Sequence, residues 1–370
     1  MKILYITTIS NTINAFLIPH IEMLIKNGHK VDCACNVVSP INEDLLDMGV
    51  NIYNKSFSRN PININNFKAM REIKKLVVEN KYDIVHVHTP NAAFYSRLAL
   101  RKIKNLKIIY TAHGFHFYKG APLFNWLIYY PLERLAAKWT DIIITINKED
   151  LNIAKKMKLR NNGNVEMIHG VGLDEKKYIM ENLDIIEYRK KLGLNENDFV
   201  ILVLAELNRN KNHIQIIKAI KQISEEYPNI KVLFAGRGNL EEELKEKINK
   251  FNLQNNIKLI GYRRDVKEIL KCSNSVGLFS IREGLGKCIL EGMLTDNIII
   301  ATETRGPKEL INNGENGFLV KVGDYKETAE KIKLIYENKE LQKKFINESK
   351  KKVKMYYISN VLNELVKFYK

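Results

Sequence analysis

Cysteine and long apolar runs are scarce in this 370-residue sequence. Its four cysteines, Cys33, Cys35, Cys272 and Cys288, lack the spacing of a disulfide framework or a zinc site. No stretch reaches the roughly 18 to 20 uninterrupted apolar residues that span a bilayer. The start, MKILYITTIS, continues without a small-residue cleavage site. We therefore expect no membrane-spanning helix, buried thiols in a reducing compartment, and a β-strand at the N-terminus.

The sequence is also short of negative charge. Lysine and arginine number 59 against 42 aspartates and glutamates, a net charge of +17, so a polyanionic partner is expected. Nucleic acid, anionic lipid and nucleotide phosphates all qualify on charge alone. Zinc spacing, an aromatic RNA-binding signature and a concentrated basic arm are all missing. We therefore expect no nucleic-acid partner, and a basic nucleic-acid-binding protein remains only as the alternative from a different class.

Short β-branched runs alternate with amphipathic stretches twice along the chain, first from KILYITT to TDIIITI and again from FVILVLA to GFLV. This alternation predicts two Rossmann-like α/β domains, each with a parallel sheet. The predicted parts are a domain at 1–170, a linker at 171–198, a domain at 199–355, and a C-terminal helix at 356–370 that returns to the first domain. Because ligands bind at the carboxyl ends of parallel strands, we expect the two sheets to face across a cleft.

The segment from Arg282 to Glu291 carries the strongest chemical signal. A loop with Gly284, Leu285 and Gly286 follows a predicted strand and leads into a helix, whose first N–H groups suit a diphosphate. Glu283 and Glu291 stand a little over two helical turns apart. Two such carboxylates suit the ribose and the sugar of a nucleotide sugar. A solvated helix behind a charged loop gives the same pattern, so the pair alone does not decide.

Longer segments of the chain resemble glycosyltransferase family 4, whose spaced glutamate pair is matched by Glu283 and Glu291. More narrowly, the chain resembles the EpsD-type exopolysaccharide and capsule enzymes through YTAHGFHF at 110–117, KGAPL at 119–123 and NWLIYYP at 125–131. Shorter matches spread over both predicted domains, at Phe16, 19–20, 145–150, 169–172, 206–212 and 261–263. The resemblance implies a GT-B fold and retaining transfer from a nucleotide sugar, with the donor on the second domain and the acceptor on the first.

The resemblance also implies roles for individual residues. Lys211 is expected at the donor diphosphate, Glu283 at the donor sugar and His113 near the reacting centre. Glu291 is expected at the ribose, and the other donor-side residues are Asn208, Gly236, Arg237, Tyr262, Arg263, Arg282, Gly284, Leu285, Gly286 and Lys287. The acceptor-side residues are Asn11, Asn14, Phe16 and His116. His86 and His88 share one face of a predicted strand and are expected to be structural.

Two departures from the wider family concern the site. Many members have an arginine five positions before the lysine, where this chain has Glu206. Arg282, Arg209 and Arg305 are the candidates for the missing cation, with Arg282 preferred. The first loop, at 9–14, lacks the paired glycines of the wider family, so its acceptor contacts do not carry over directly.

The implied reaction needs no cofactor. A lysine cation can stabilise the leaving diphosphate, so no metal is required. The expected donor is a UDP-linked hexose or N-acetylhexosamine, and the expected acceptor is an undecaprenyl-diphosphate-linked saccharide in capsule or exopolysaccharide synthesis. A UDP-sugar epimerase of the same shape is the alternative enzyme, and a covalent glycosyl-enzyme on Glu283 is the competing route to retention.

The segment at 121–139, APLFNWLIYYPLERLAAKW, combines Trp and Tyr with basic residues, as at a membrane interface. Its leucines and alanines at helical spacing equally suit a helix packed in the first domain, and each interpretation can hold for a different face. With the denser positive charge of the first half, we expect a cytoplasmic protein peripherally bound to the anionic inner face of the cell membrane.

Overall fold

The chain divides after Gly172 in the computed structural model, which describes residues 1–180 and 183–370. The first unit comprises Met1–Gly172 together with Ile358–Lys370, and the second comprises Leu173–Tyr357. Each unit is built on one parallel sheet whose strands are joined through helices. This architecture confirms the predicted α/β class with two Rossmann-like sheets.

The strands of the first unit are rich in β-branched and aliphatic residues, which favour extended backbone. They are β1 (Lys2–Ile9), β2 (Lys30–Asn36), β3 (Ile52–Asn54), β4 (Ile84–His88), β5 (Lys107–Ala112), β6 (Ile142–Thr145) and β7 (Asn164–Met167). They pair in parallel in the order β3-β2-β1-β4-β5-β6-β7. Residues 3–8 of β1 are all buried, because helices cover both faces of a parallel sheet.

Asn42, Asn63 and Asn147 each cap the N-terminus of a helix in the first unit. The helices of this unit are α1 (Ser10–Thr12), α2 (Ile18–Lys26), α3 (Glu43–Asp47), α4 (Ile64–Asn80), α5 (Pro90–Leu100), α6 (Leu123–Ala137) and α7 (Lys148–Ala154), with a π-helical turn at Ile13–Leu17. The Asn63 side chain caps α4 by accepting from Asn65 N. Fully buried Arg97 on α5 forms a bidentate ion pair with Glu133 on α6, which fixes α6 against the unit.

The second unit repeats this plan. Its strands are β8 (Phe199–Leu204), β9 (Ile230–Ala235), β10 (Ile257–Gly261), β11 (Ser275–Leu278), β12 (Ile298–Thr302) and β13 (Phe318–Val320). Its helices are α8 (Ile185–Lys191), α9 (His213–Ile223), α10 (Glu241–Lys250), α11 (Val266–Cys272), α12 (Lys287–Leu294), α13 (Arg305–Leu310), α14 (Tyr325–Glu337) and α15 (Lys339–Val353). The strands pair in parallel in the order β10-β9-β8-β11-β12-β13, with an apolar core on each face.

Residues 173–198, most of the predicted linker, group with the second unit. They form a 3₁₀ turn at Glu175–Tyr178 and helix α8. Arg189 on α8 is buried and donates to the carbonyl oxygens of Cys272 and Asn195. These bonds tie the segment to the sheet, because a buried guanidinium is stable only when its donors are satisfied. Glu181 and Asn182 lie outside the described residues.

Strand order reverses once in each sheet, between β1 and β4 in the first unit and between β8 and β11 in the second. At such a switch point the loops after the two adjacent strands leave in opposite directions and open a crevice at their carboxyl ends. Ligand-binding residues are therefore expected in the loops after β1 and β4 and in those after β8 and β11.

The C-terminal segment covers buried histidines of the first unit. Helix α16 (Ile358–Leu365) and a 3₁₀ turn at Val366–Tyr369 pack on this unit. The Tyr369 hydroxyl hydrogen-bonds Tyr5 and His86, and Glu364 accepts from His169 N. Nearby His20 is buried, hydrogen-bonds Val171 O at 2.9 Å, and has its pKa lowered to about 4 by burial.

We predict that His20 makes the first unit acid-sensitive. Its folded pKa of about 4 lies below the ordinary value of 6.5. The contribution of the neutral His20 ring to the free energy of unfolding is therefore complete above pH 6.5. It is lost progressively as the pH falls from 6.5 to the folded pKa of about 4. For one buried histidine the loss is on the order of 3 kcal/mol.

Urea unfolding at pH 7, 5.5 and 4.5 measures this loss. Fluorescence is the probe because the chain's two tryptophans, Trp126 and Trp139, both lie in the first unit. A His20→Gln variant keeps a side-chain donor for Val171 O but does not titrate, so its unfolding free energy should depend less on pH. Equal pH dependence in the two proteins would contradict the prediction.

Candidate active site

Lys211 and Glu283 form an ion pair at the switch point of the second sheet. Lys211 ends a 3₁₀ turn after β8, where its backbone N donates to Asn208 Oδ1 at 3.1 Å, and Glu283 lies in the loop after β11. Lys211 Nζ lies 2.7 Å from Glu283 Oε2, which also accepts from Ser280 Oγ at 3.1 Å. The structure thus joins two predicted catalytic residues that stand 72 positions apart.

The two loops that carry this pair are bonded to each other. Ile281 N donates to Asn210 O at 2.7 Å, and Asn210 Nδ2 donates to Arg282 O at 3.0 Å. These two hydrogen bonds involve only main-chain atoms and the short Asn210 side chain, so they fix the loop after β8 against the loop after β11. The pair therefore has a defined geometry as part of the folded unit.

A glycine turn connects Glu283 to helix α12. Gly286 caps this helix with φ at 95°, a conformation that favours glycine. A Cβ on Gly306, in α13, would lie 2.6 Å from backbone atoms of Leu285, so only glycine permits this close packing. The turn directs the positive end of the α12 dipole toward the switch point, an arrangement that favours an anion.

Glu291 lies on α12, five residues after the Gly286 cap. Its Oε1 accepts from the Tyr178 hydroxyl at 2.6 Å and lies 3.4 Å from Lys287 Nζ. Burial and the Glu291 carboxylate raise the pKa of Tyr178, so the phenol remains a donor. Among residues 1–180 and 183–370, no hydrogen bond occupies Glu291 Oε2. Tyr178 was missed by sequence reasoning, because it stands in a polar segment without a motif.

The other predicted donor-side residues have mixed environments. A Cβ on Gly236 would lie 2.0 Å from Ala205 O, so this glycine allows the loop after β9 to pack on the loop after β8. Arg237 offers its carbonyl oxygen to Leu207 N at 3.0 Å. Tyr262 is 67% exposed. Arg263 is held by Asp265, with Nε 2.9 Å from Oδ1, and this bond lowers the pKa of Asp265 to about 2.

The three candidate cations near Lys211 differ in burial. Arg305 begins α13 and is 7% exposed, whereas Arg282 is half-buried beside Glu283. Arg209 stands in the same 3₁₀ turn as Lys211. All three lie on segments adjoining the ion pair, and the preference for Arg282 stays a prediction.

His113 follows β5 in the first unit and hydrogen-bonds His88, the last residue of β4. His88 Nδ1 lies 3.1 Å from His113 Nε2. Burial, with the nearby His20, lowers the pKa of His113 to about 4, and burial holds the pKa of His88 well below its ordinary value. Both rings are therefore neutral near pH 7. The bond from His113 to His88 was not predicted.

Two cavities lie at the switch point of the first sheet. One of about 640 Å³ is lined by Asn11, and its neighbour of about 340 Å³ is lined by His116; Ile9 and Arg59 line both. Thr89 lines the smaller cavity with φ at 63°, a strained backbone for a β-branched residue. Asn11 and His116, two of the predicted acceptor-side residues, thus reach this switch point.

The remaining acceptor-side predictions lie beside the first loop. Asn14 braces the main chain, because Nδ2 donates to Pro40 O at 2.8 Å and Oδ1 accepts from Asn42 N at 3.2 Å. Phe16 stands in the π-helical turn with 36% of its surface exposed. Asn14 thus shapes the loop, and Phe16 offers a partly exposed ring.

Helix α6, the segment predicted for a membrane interface, has two different faces. Trp126, Tyr129 and Tyr130 pack toward the core, and Trp126 Nε1 donates to Tyr118 O at 3.2 Å. Large apolar side chains are exposed on the other face, and they are Leu123, Phe124, Leu127, Ile128, Leu132 and Leu135. Packing in the first unit is thus confirmed for one face, and membrane binding by the exposed face stays a prediction.

Across residues 1–180 and 183–370, no helix combines the length and apolarity needed to cross a membrane. In the same described part of the chain, no group of three or more His, Cys, Asp or Glu side chains is placed to hold a metal ion.

Family models match both halves of the chain. "Glycosyl transferase 4-like" matches residues 2–147, and "Glycosyl transferases group 1" matches residues 184–352. The EpsD protein of Bacillus subtilis (strain 168) is 35% identical over 371 residues, covering 100% of this chain and 96% of that protein. The Escherichia coli UDP-Gal:alpha-D-GlcNAc-diphosphoundecaprenol alpha-1,3-galactosyltransferase is 30% identical over 82% of this chain and 79% of its own.

Solved structures show the same architecture. The crystal structure of Anabaena HepE in complex with UDP-glucose superposes with a TM-score of 0.82 at 18% identity, covering 100% of this chain and 99% of that one. This likeness confirms the GT-B fold. Together with the family models and the full-length similarity to EpsD, it shows that this chain belongs to the family 4-like, group 1 glycosyltransferases.

Proposed function

We propose that this glycosyltransferase moves a hexose or N-acetylhexosamine from a UDP-linked donor to a lipid-diphosphate-linked saccharide in capsule or exopolysaccharide synthesis. Transfer proceeds with retention and without a metal ion. One observation carries the proposal: Lys211, Glu283 and the start of α12 meet at the switch point of the second sheet. A cation, a carboxylate and a helix dipole suit the diphosphate and sugar of such a donor.

Glu291 is proposed to bind the ribose of the donor. Tyr178 and Lys287 lie at Oε1 of this carboxylate, which leaves Oε2 to accept from a ribose hydroxyl. Tyr178 holds the side chain in place before the donor binds, which reduces the entropy lost on binding. The support for UDP is a likeness of fold to HepE, whose structure contains UDP-glucose.

Lys211 is proposed to stabilise the leaving diphosphate. The bond from the anomeric carbon to the diphosphate oxygen breaks as the acceptor oxygen bonds to the same face of that carbon. The acceptor hydroxyl gives its proton to the departing diphosphate. The lysine cation and the α12 dipole offset the charge that develops, which is the contribution a metal would otherwise make.

The competing covalent route would use Glu283 as the nucleophile. Glu283 Oε2 already accepts from Lys211 and from Ser280. Both bonds stabilise the carboxylate and reduce its nucleophilicity. We therefore favour direct transfer, with Glu283 binding the sugar.

The acceptor diphosphate is proposed to bind at the two cavities of the first unit. Arg59 lines both, and none of their lining residues is acidic. Within the described parts of the chain, Arg59 has no ion-pair partner. A guanidinium suits a diphosphate because it donates two parallel bonds. The name of the Escherichia coli relative gives a diphosphoundecaprenol-linked acceptor for that enzyme.

Helix α6 is proposed to bind the inner membrane surface. Leu123, Phe124 and Leu127 are 64 to 72% exposed along one face, and Lys119, Arg134 and Lys138 lie on or beside the helix. An apolar stripe with basic neighbours suits an anionic interface, where each lysine or arginine contributes about 1 kcal/mol. This binding would bring the enzyme to a lipid-linked acceptor.

The donor prediction is tested by calorimetry and thermal unfolding with UDP-, GDP- and TDP-sugars in EDTA. A UDP-sugar should bind and raise the free energy of unfolding by about 2.7 kcal/mol at one hundred times its dissociation constant. Lys211→Ala and Glu291→Ala should weaken binding at least tenfold, because each removes a charge-assisted contact.

Exposed Lys250→Ala and Glu246→Ala on α10 are the matched controls and should bind as the wild type does. Equal binding of GDP- or TDP-sugars would refute the choice of base, and loss of transfer in EDTA would refute metal independence. An inverted anomeric configuration in the product, read by ¹H NMR, would refute retention.

The acceptor prediction concerns Arg59. Arg59→Gln should weaken binding of farnesyl diphosphate, used as a short probe, at least tenfold and leave UDP binding unchanged. Farnesol and inorganic pyrophosphate separate the lipid from the diphosphate. Lys74→Gln, at an exposed position on α4 about two and a half turns beyond the cavity-lining Asn65, removes the same charge away from the cavities. An equal loss in this control would show that only net charge matters, and the site would then be rejected.

The membrane prediction concerns the exposed face of α6. Leu127→Glu should reduce co-sedimentation with vesicles containing phosphatidylglycerol several-fold, because a carboxylate would enter the apolar layer. Leu334→Glu, at an exposed position on α14 in the second unit, is the control and should sediment normally. Unchanged binding of Leu127→Glu, with circular dichroism like that of the wild type, would rule out this face.

A further inference from the structure

His88 has the geometry to control His113, although its place in the strand motif IVHVH predicts only a structural role. It is 1% exposed at the end of β4, where its ring lies against Tyr5 and His86. The planes of the His88 and His113 rings make an angle of 26°, and a hydrogen bond joins His88 Nδ1 to His113 Nε2. Burial and these packed rings leave His88 little freedom to rotate.

The bond to His88 leaves a single nitrogen of His113 for a ligand. His113 Nε2 is occupied by His88 Nδ1 at 3.1 Å. His113 Nδ1 has no hydrogen-bond partner among residues 1–180 and 183–370, and the side chain is only half-buried. Any contact of His113 with a substrate therefore uses Nδ1.

The proton positions follow from the far side of His88. His88 Nε2 is buried and has no hydrogen-bond partner in the described chain. Orphaned buried N–H groups are rarer than under-satisfied acceptors. We therefore place the proton of His88 on Nδ1, from which it is donated to His113 Nε2. A neutral His113 then carries its own proton on Nδ1.

We propose that His88 is a positioning residue that fixes the ring orientation and tautomer of His113, so that His113 presents Nδ1–H to the substrate. This proposal rests on the proposed function and on the role near the reacting centre that the family resemblance implies for His113. An N–H presented in this way donates to a sugar hydroxyl and cannot accept the proton of the acceptor. It agrees with direct proton transfer to the leaving diphosphate.

The neighbouring histidine supplies the contrast. His86 occupies the same face of β4 but directs its nitrogens to Thr111 Oγ1, at 2.7 Å, and to the Tyr369 hydroxyl. It is fully buried and makes no hydrogen bond to His113. A change at His86 therefore tests general damage to the cluster, while a change at His88 also removes the bond to His113.

The first test is ¹⁵N NMR of the histidine-labelled full chain at pH 7, with the His113 signals assigned by their loss in His113→Asn. The proposal expects Nδ1 of His113 protonated and Nε2 bare in the wild type. In His88→Leu, His113 should become a mixture of tautomers, whereas His86→Asn should keep the wild-type tautomer. A proton on Nε2 of His113 in the wild type would overturn the proposal.

The second test separates turnover from binding. His88→Leu should lower kcat at least tenfold with the KM for the UDP-sugar little changed, and His88→Asn should recover part of it, because its amide nitrogen replaces Nδ1–H. Adding His88→Leu to His113→Ala should cause no further loss. Additive losses, or equal failure of the leucine and asparagine variants in folded protein, would refute positioning.

The two tests also separate this proposal from the proposed function. If His113→Ala retains full activity, His113 has no role in transfer, and the role that the family resemblance implies for it fails. The NMR result still decides whether His88 sets the tautomer.

Discussion

Parallel pairing of β8 with β11 is the constraint on which the candidate site depends. It brings the carboxyl ends of two distant strands to one edge, so that Lys211 and Glu283 meet there. In this half-buried ion pair, the Lys211 cation lies next to the Glu283 carboxylate. Coulomb attraction is stronger there than in bulk water, so the diphosphate of the proposed donor has to share Lys211 with Glu283. The Lys211 cation is therefore already held in place and neutralised by Glu283 in the absence of a donor. An anionic ligand would become a second partner of this lysine.

The fold could be predicted from the sequence because the strands and helices of a parallel sheet have different patterns of apolar residues. Buried strands such as FVILVL read as continuous apolar runs, and the amphipathic stretches between them mark the helices. The family motifs in the sequence also predicted that Glu283 and Lys211 belong to the same site. The sequence did not predict Tyr178 or the bond between His88 and His113. Those contacts join segments that are far apart in the chain. No sequence motif around Tyr178 or His88 indicates which residue each of them contacts.

Helix α6 shows a different limit of sequence reasoning. Trp, Tyr, Leu and Ala at helical spacing suit both a core and an interface, and periodicity gives no direction to a helix that is apolar nearly all round. The ion pair from Arg97 to Glu133 fixes that direction. It turns Trp126 and Tyr130 inward and leaves Phe124 and Leu127 in contact with solvent. A polar contact thus decides which apolar residues remain available for another surface.

The environments of the two candidate bases bear on where the acceptor proton goes. Glu283 Oε2 is occupied by Lys211 and Ser280, so the carboxylate gains little by accepting a proton. His113 is neutral, and if His88 donates to it, its remaining nitrogen already carries hydrogen. In the proposed retaining reaction, the oxygen of the departing diphosphate becomes more basic as its bond to the sugar breaks, and it lies on the face where the acceptor attacks. Proton transfer to this oxygen couples bond breaking to bond formation on one face, which is the stereochemical requirement for retention without a covalent intermediate.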